Sequence, residues 1–214
     1  LEGGGPDHST GRPERFLAAC AADNMTVANC TAPANYFHLL RRQMLAPYRR
    51  PLVVFSPKMH LRSAIAKSLL SELAEGSGFR PVIIDGLVEN ARPRRLIFCS
   101  GRVYYDLIDA AEDASKQDVL IIRIEQLYPL PEREIEEILL AHPAAECMWL
   151  QEEPRNFGPW AFMLDQFTRM FQRHPGAGRT LIYAGRPAAA APSGGSKRVW
   201  SEEQAHICRN ALAG

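Results

Sequence analysis

From residue 95 onward, apolar runs of three or four residues alternate with helical patterns of ten or more, and this rhythm constrains the fold more than any other feature. Leu96-Ile97-Phe98-Cys99, Val119-Leu120-Ile121-Ile122, Cys147-Met148-Trp149-Leu150 and Leu181-Ile182-Tyr183 read as strands. Between them, Tyr104 to Ala114 reads as a helix with Leu107, Ile108 and Ala111 inward. Pro131 opens a helix with Ile135, Ile138 and Leu139 inside and Glu132, Glu134, Glu136 and Glu137 outside. Gly158-Pro159-Trp160 starts another helix through Phe162, Leu164, Phe167 and Phe171, and Trp200 to Leu212 closes the chain as a helix. Strands separated by whole helices call for crossover connections, so the expected fold is α/β: a three-layer α/β/α arrangement with a mostly parallel sheet.

The earlier residues are less regular. Pro13-Glu14-Arg15-Phe16-Leu17 reads as a first helical turn, with proline where its missing N–H costs nothing, and this helix is expected to stop near Asp23-Asn24. Met25 to Cys30 looks like a short strand. Pro33 opens a helix whose apolar face is expected to carry Tyr36, Phe37, Leu40 and Met44. Leu52-Val53-Val54-Phe55, a continuous apolar run between prolines, is expected to be a strand buried on both faces. A helical stretch from Ile65 to Leu73 gives way at Gly76-Ser77-Gly78. Val82-Ile83-Ile84 reads as a further strand, Asp85 to Arg94 as a linker or hairpin, and Ala188 to Ser196 as a low-complexity loop.

The 214 residues suit one large domain or two small ones, and the net charge of +1 is spread over interspersed acids and bases. Nothing in that balance points to a nucleic-acid or membrane surface. The apolar stretches fall far short of the roughly 20 residues that span a bilayer. Cys20, Cys30, Cys99, Cys147 and Cys208 lie far apart without a CxxC pair, so reduced core thiols are expected. The histidines (His8, His38, His60, His142, His174 and His206) are equally dispersed, and no metal is implied. The chain begins at Leu1, inside a loop motif, which reads as a piece of something longer.

Chemistry has few places to sit. Gly3, Gly4 and Gly5 with Pro6 form a relieved and stiffened loop that presents His8 ahead of a helix, either as a surface histidine or as one held against a ligand. The Glu152 to Trp160 segment lies at the carboxyl end of a strand, where open α/β sheets bind ligands. Strand alternation points Glu152 and Glu153 to opposite faces, so a solvated loop with one structural ion pair is the expected reading. Ser100-Gly101-Arg102 follows a strand and opens a helix, but lacks the glycines of a phosphate loop. The pairs Arg41-Arg42, Arg49-Arg50 and Arg94-Arg95 are read as solvated faces or ion-pair partners.

Taken as longer motifs, these residues resemble one family. GPDHS at Gly5–Ser9, RPERFL at Arg12–Leu17, TAPANYFHLLRRQ at Thr31–Gln43 and RPLVVFSPK at Arg50–Lys58 carry the resemblance in the first part. CSGRVYYDL at Cys99–Leu107, RIEQLYPLP at Arg123–Pro131, QEEPRNFGPW at Gln151–Trp160 and YAGRPAAAAP at Tyr183–Pro192 carry it in the second. The chain is similar to the carboxyl-terminal end of the thiamine-diphosphate-dependent first component of the 2-oxoglutarate dehydrogenase complex. One departure is local: the family's SPKxLLRHP is here Ser56-Pro57-Lys58-Met59-His60-Leu61-Arg62-Ser63-Ala64.

The resemblance implies the end of a transketolase-like pyrimidine-binding domain over residues 1–57, a connector over 58–94 and a transketolase-like carboxyl-terminal domain over 95–214. It implies decarboxylation of 2-oxoglutarate and reductive succinylation of a lipoyl group within the tricarboxylic acid cycle. The alternatives are a 2-oxoadipate paralogue or a non-catalytic assembly or regulatory domain. Thiamine diphosphate and Mg would serve the full-length enzyme; this chain alone is expected to bind neither and to be inactive. Implied partners are a second copy in a homodimer, a lipoyl-bearing dihydrolipoamide succinyltransferase, dihydrolipoamide dehydrogenase and a small 2-oxoacid. The dimer contact is expected to come from the Trp160–Phe171 helix, carrying Phe162, Met163, Phe167, Met170 and Phe171, and from the Glu152–Trp160 loop, unless that helix is buried in its own domain. The setting is a mitochondrial matrix if eukaryotic, the favoured expectation, and otherwise cytoplasmic. By position in the family loop, His8 is the catalytic residue, binding the anionic substrate or donating a proton, and Ser9 orients it or lines the substrate site, unless its hydroxyl simply caps the helix.

Overall fold

The computed structural model describes residues 9–85, 92–113, 118–174 and 178–213. His8 lies outside the described residues. In chain order the elements are α1 (Pro13–Ala18), β1 (Thr26–Ala28), α2 (Pro33–Leu45), β2 (Leu52–Val54), β3 (Val82–Asp85) and β4 (Arg95–Cys99). They continue with α3 (Val103–Asp113), β5 (Val119–Ile124), β6 (Gln126–Tyr128), α4 (Glu132–Ala141), β7 (Glu146–Pro154), α5 (Trp160–Arg173), β8 (Leu181–Arg186) and α6 (Lys197–Leu212).

The main sheet has five strands in the order β3-β5-β4-β7-β8. β5, β4, β7 and β8 run parallel, and β3 pairs antiparallel along the edge of β5. β4 and β5 are buried at every position, which is why their sequences read as unbroken apolar runs rather than alternating ones. On one face Ile135, Ile138 and Leu139 of α4 and Trp160, Met163, Phe167 and Met170 of α5 pack against Phe98 and Trp149. On the other, Val103 and Leu107 of α3 and Ile207, Cys208, Ala211 and Leu212 of α6 pack against Ile97, Ile121 and Leu150. The expected three-layer α/β/α arrangement is therefore present. A smaller sheet, β2-β1-β6, stands beside it. β6 follows β5 directly, so one continuous stretch of chain serves both sheets.

Four local expectations are corrected. Helix α1 ends at Ala18 rather than near Asp23-Asn24, because Ala22 and Asp23 take left-handed φ angles of 49° and 54° and the Asn24 side chain bonds back to Ala19 and Ala21. Strand β2 is half-buried, not buried on both faces, since it is the edge of the smaller sheet. In α2 the inward face is Ala34, Asn35, His38 and Leu39, while Tyr36, Phe37, Leu40 and Met44 are exposed. Polar residues win that face because each finds a partner there. The Asn35 amide bonds both backbone groups of Arg80 and donates to Glu125, and the His38 ring meets the Glu72 carbonyl. Finally, the segment expected to be helical from Ile65 to Leu73 forms only one short 3-10 turn, Leu70–Leu73, with Leu69 and Leu70 exposed; a second such turn, Lys58–Arg62, precedes it.

The stretch read as a connector thus contributes β3 to the main sheet. Helix α5 spends its apolar residues on its own core: Met163, Phe167 and Met170 are fully buried, and Phe162 and Phe171 pack against the same cluster. That is the own-domain alternative to a dimer contact. All five cysteines are free, and four of them are buried. Among the described residues no helix is long and apolar enough to cross a membrane.

Candidate functional site

The carboxyl ends of β1, β2, β4 and β7 converge on the stretch from Ser9 to Glu14. Here a polar cleft of about 130 Å³ is lined by Ser9, Arg12, Glu14, Asn29, Ser56, Arg102, Glu152 and Glu153, among others. Ser9 is 7% exposed. The two sheets approach closely at the cleft: Gly101 has φ +70°, and a Cβ there would overlap the Asn29 amide.

The expected placement of Glu152 and Glu153 on opposite faces holds: Glu153 lies with Gln151 beside Gly158, whereas the Glu152 carboxylate acts on Asp106 and Cys208 on the α3–α6 side. The pairing of β7 with β8 is irregular between Leu150 and Pro154, and both residues line the cleft at this end of the strand. Burial, the Glu152 carboxylate and the nearby Glu14 push Glu153 from 4.5 up to about 7. The loop after them is solvated at Arg155 and Asn156 but anchored beneath. Gln151, 3% exposed, holds it from below, donating to the carbonyls of Glu153, Pro154 and Phe157 at 3.1, 3.3 and 2.9 Å. The Gln151 Oε1 accepts from Trp149 Nε1 and the Trp160 N–H.

Arg102 is buried against the Trp200 ring, 4.4 Å from its centroid, and lies 3.5 Å from Asp106. Burial raises the Asp106 pKa, while Arg102 and the Gln204 amide draw it back. Ser100 donates to the Ile124 carbonyl, and the N–H groups of Tyr104 and Tyr105 bond within the turn, so the Ser100–Arg102 segment is an ordinary βα turn. Among the arginine pairs, Arg41, Arg42, Arg49 and Arg50 are exposed, as solvated faces are, and Arg94 and Arg95 are ion-pair partners of Asp118 and Glu146. Arg95 bonds Glu146 and the carbonyls of Ala211 and Ala213, and Arg42 lies over Phe79 and donates to Gln126.

Sequence reasoning singled out Ser9, Arg102, Glu152 and Glu153, and the structure brings them together. It missed Arg12, Glu14 and Asn29. A signal existed for Glu14, an acidic residue in the first turn of α1, but such residues ordinarily serve their own helix.

Residues 67–212 match the family described as 2-oxoglutarate dehydrogenase C-terminal. The chain belongs to this family. Residues 1–64 match the family described as transketolase, pyrimidine binding domain, consistent with an α/β transketolase-like fold. Relatives include the 2-oxoglutarate dehydrogenase E1 components of Brucella ovis, Brucella canis and Brucella suis, each 45% identical over 223 residues that cover 99% of this chain and 22% of the relative. The chain thus spans about a fifth of the length of the curated relatives it matches. These relatives are bacterial, so the favoured mitochondrial setting has no support in them.

The described residues do not by themselves fit thiamine diphosphate. The cleft of about 130 Å³ is well below the roughly 300–1,000 Å³ of small-molecule sites. Among the described residues no group of three or more His, Cys, Asp or Glu is placed to hold a metal ion for a diphosphate.

Proposed function

We propose that this chain is the carboxyl-terminal part of a thiamine-diphosphate- and Mg-dependent 2-oxoglutarate dehydrogenase subunit. That subunit decarboxylates 2-oxoglutarate and passes the succinyl group to the lipoyl group of a second component. The observation that carries the reading is 45% identity to the Brucella E1 components over 99% of the chain. The division into 1–57, 58–94 and 95–214 belongs to the same proposal, as do a homodimer, a dihydrolipoamide succinyltransferase, a dihydrolipoamide dehydrogenase and a cytoplasmic setting.

Within that subunit this chain supplies a wall of the reaction cleft, and the rest of the protein supplies the cofactor site. Ser9, buried at the carboxyl ends of the strands, lines the wall and offers a hydroxyl to an oxygen of the substrate. His8, its neighbour in the chain, binds the anionic substrate or transfers a proton. An imidazole suits either task at neutral pH, being half-charged near its ordinary pKa of about 6.5.

In the full-length subunit, His8→Ala is expected to lower turnover of 2-oxoglutarate by about 10² to 10⁴ with little loss of stability. A variant within a factor of about two of the parent, measured with a saturating lipoyl acceptor, would overturn the assignment. Parallel kcat/KM values for 2-oxoadipate decide the substrate.

A further inference from the structure

We propose that Glu14 is a positioning residue for the cleft wall that carries Ser9, pinning the start of α1 to the carboxyl end of β7. The inference rests on the reading of His8, the chain neighbour of Ser9, given above.

Helix α1 has only six residues and no side-chain cap, and it is entered through Arg12 in a left-handed conformation, φ 54° and ψ 56°. So short a helix has little stability of its own, and its direction must be set by what it touches. Leu17 anchors one end in the core that holds Trp149 and Phe167. At the other end the Glu14 carboxylate accepts the Gly158 N–H at 2.9 Å, a contact across 144 residues of sequence. Arg12 braces the same point, with its guanidinium 4.5 Å from the Phe157 ring centroid and 3.8 Å from Glu14.

The N–H that Glu14 receives is itself fixed. Gly158 sits at φ +69°, and a Cβ there would lie 3.0 Å from Gln151 Nε2 and from Glu153 Cβ. Gln151 in turn is tied to Trp149, which is fully buried. A chain of rigid contacts therefore runs from the centre of the main sheet through Gln151 and the Gly158 N–H to Glu14. Ser9 precedes Glu14 by five residues and is buried in the same cleft, and His8 adjoins it. An acid–base group must stand within about 2.6–3.2 Å of the atom it serves. A displacement of about 1 Å can cost about 10² in rate.

The test uses the full-length subunit with its cofactor and compares Glu14→Ala, Glu14→Gln, His8→Ala and the double variant E14A/H8A. Glu14→Ala is expected to lower kcat about 10- to 100-fold while the melting temperature moves by only a few degrees. Glu14→Gln retains an oxygen that accepts the Gly158 N–H and is expected to recover most of that loss. In the His8→Ala background, Glu14→Ala should have little further effect, since the two act through one group. Parental kcat in Glu14→Ala beside an impaired His8→Ala would overturn the proposal and leave the His8 reading standing; so would losses that simply multiply in the double variant. Parental kcat in His8→Ala would overturn both. If Glu14→Ala does not fold, Glu14→Asp, one methylene short of Gly158, takes its place, and parental kcat there would overturn the proposal in the same way.

Discussion

Replacing Glu125 by leucine tests how the two sheets are held together. The side chain is 0% exposed, at the junction of β5 and β6, and its carboxylate collects three donors from the first part of the chain. The Thr31 N–H reaches both oxygens at 3.1 and 2.9 Å, the Thr31 hydroxyl donates at 2.6 Å, and the Asn35 amide donates at 2.9 Å. Burial pushes the carboxyl pKa up, while these donors and the Arg123 charge pull it down. Leucine leaves three buried donors without their acceptor, at about 1–3 kcal/mol each. Against this stand roughly 1.5–3 kcal/mol from the apolar side chain and relief from burying a charge. The net expectation is a loss of about 3–5 kcal/mol, the range for breaking a buried charged network. Domains of this kind have about 5–15 kcal/mol in total. With a urea m value of about 1–3 kcal/mol/M, the unfolding midpoint should fall by roughly 1–5 M. Hydrogen exchange should show protection lost in β1 and α2 while β4 and β7 keep theirs. A loss below about 1 kcal/mol with α2 still protected would refute the reasoning, and would mean that Ala28, Cys30 and Leu39 hold the smaller sheet by apolar contact alone.

Two further outcomes are expected. Glu153 binds its proton more tightly when folded, so its contribution to stability is full below about pH 4.5 and is lost as the pH rises to about 7. Glu153→Gln should therefore match the parent at low pH and exceed it above pH 7, on the order of 1–2 kcal/mol after screening, as read by urea titration at two pH values; equal gaps at both would show that Glu153 does not titrate in this window. On α2, Leu40→Lys with Met44→Lys should change stability by less than about 0.5 kcal/mol, read by urea titration; a large loss of stability would place that stripe in the core.

The main sheet was legible because its central strands β4 and β5 are buried on both faces and its helices carry simple apolar stripes. Leu96 to Cys99 and Ile135, Ile138 and Leu139 fall where periodicity puts them. Periodicity failed where polar partners decide the outcome. The stripe of Tyr36, Phe37, Leu40 and Met44 is the more apolar face of α2, yet Asn35 and His38 turn inward because Arg80, Glu125 and Glu72 satisfy them there. The cleft was half legible for a related reason. Ser9 and Glu152-Glu153 stand in quotable motifs, whereas Glu14 acquires its role from Gly158, and no local pattern couples residues 144 positions apart.

The same long-range bonds explain why a site at the meeting of two sheets can be rigid. Arg123 of β5 donates to the Thr31 hydroxyl at 2.8 Å, Tyr105 of α3 donates to the Thr31 carbonyl at 2.6 Å, and the Asn29 N–H reaches the Glu125 carbonyl at 2.9 Å. All three attach the chain just after β1 to the β5–β6 junction or to the helix that follows β4. The cleft lies next to this attachment, between Asn29 and Gly101 on one side and Glu153 and Gly158 on the other. Sliding one sheet past the other would break buried charge-assisted bonds, each worth about 1.5–3 kcal/mol. The wall that carries Ser9 is thus fixed from two directions, through Thr31 and Glu125 behind it and through Glu14 and Gly158 beside it.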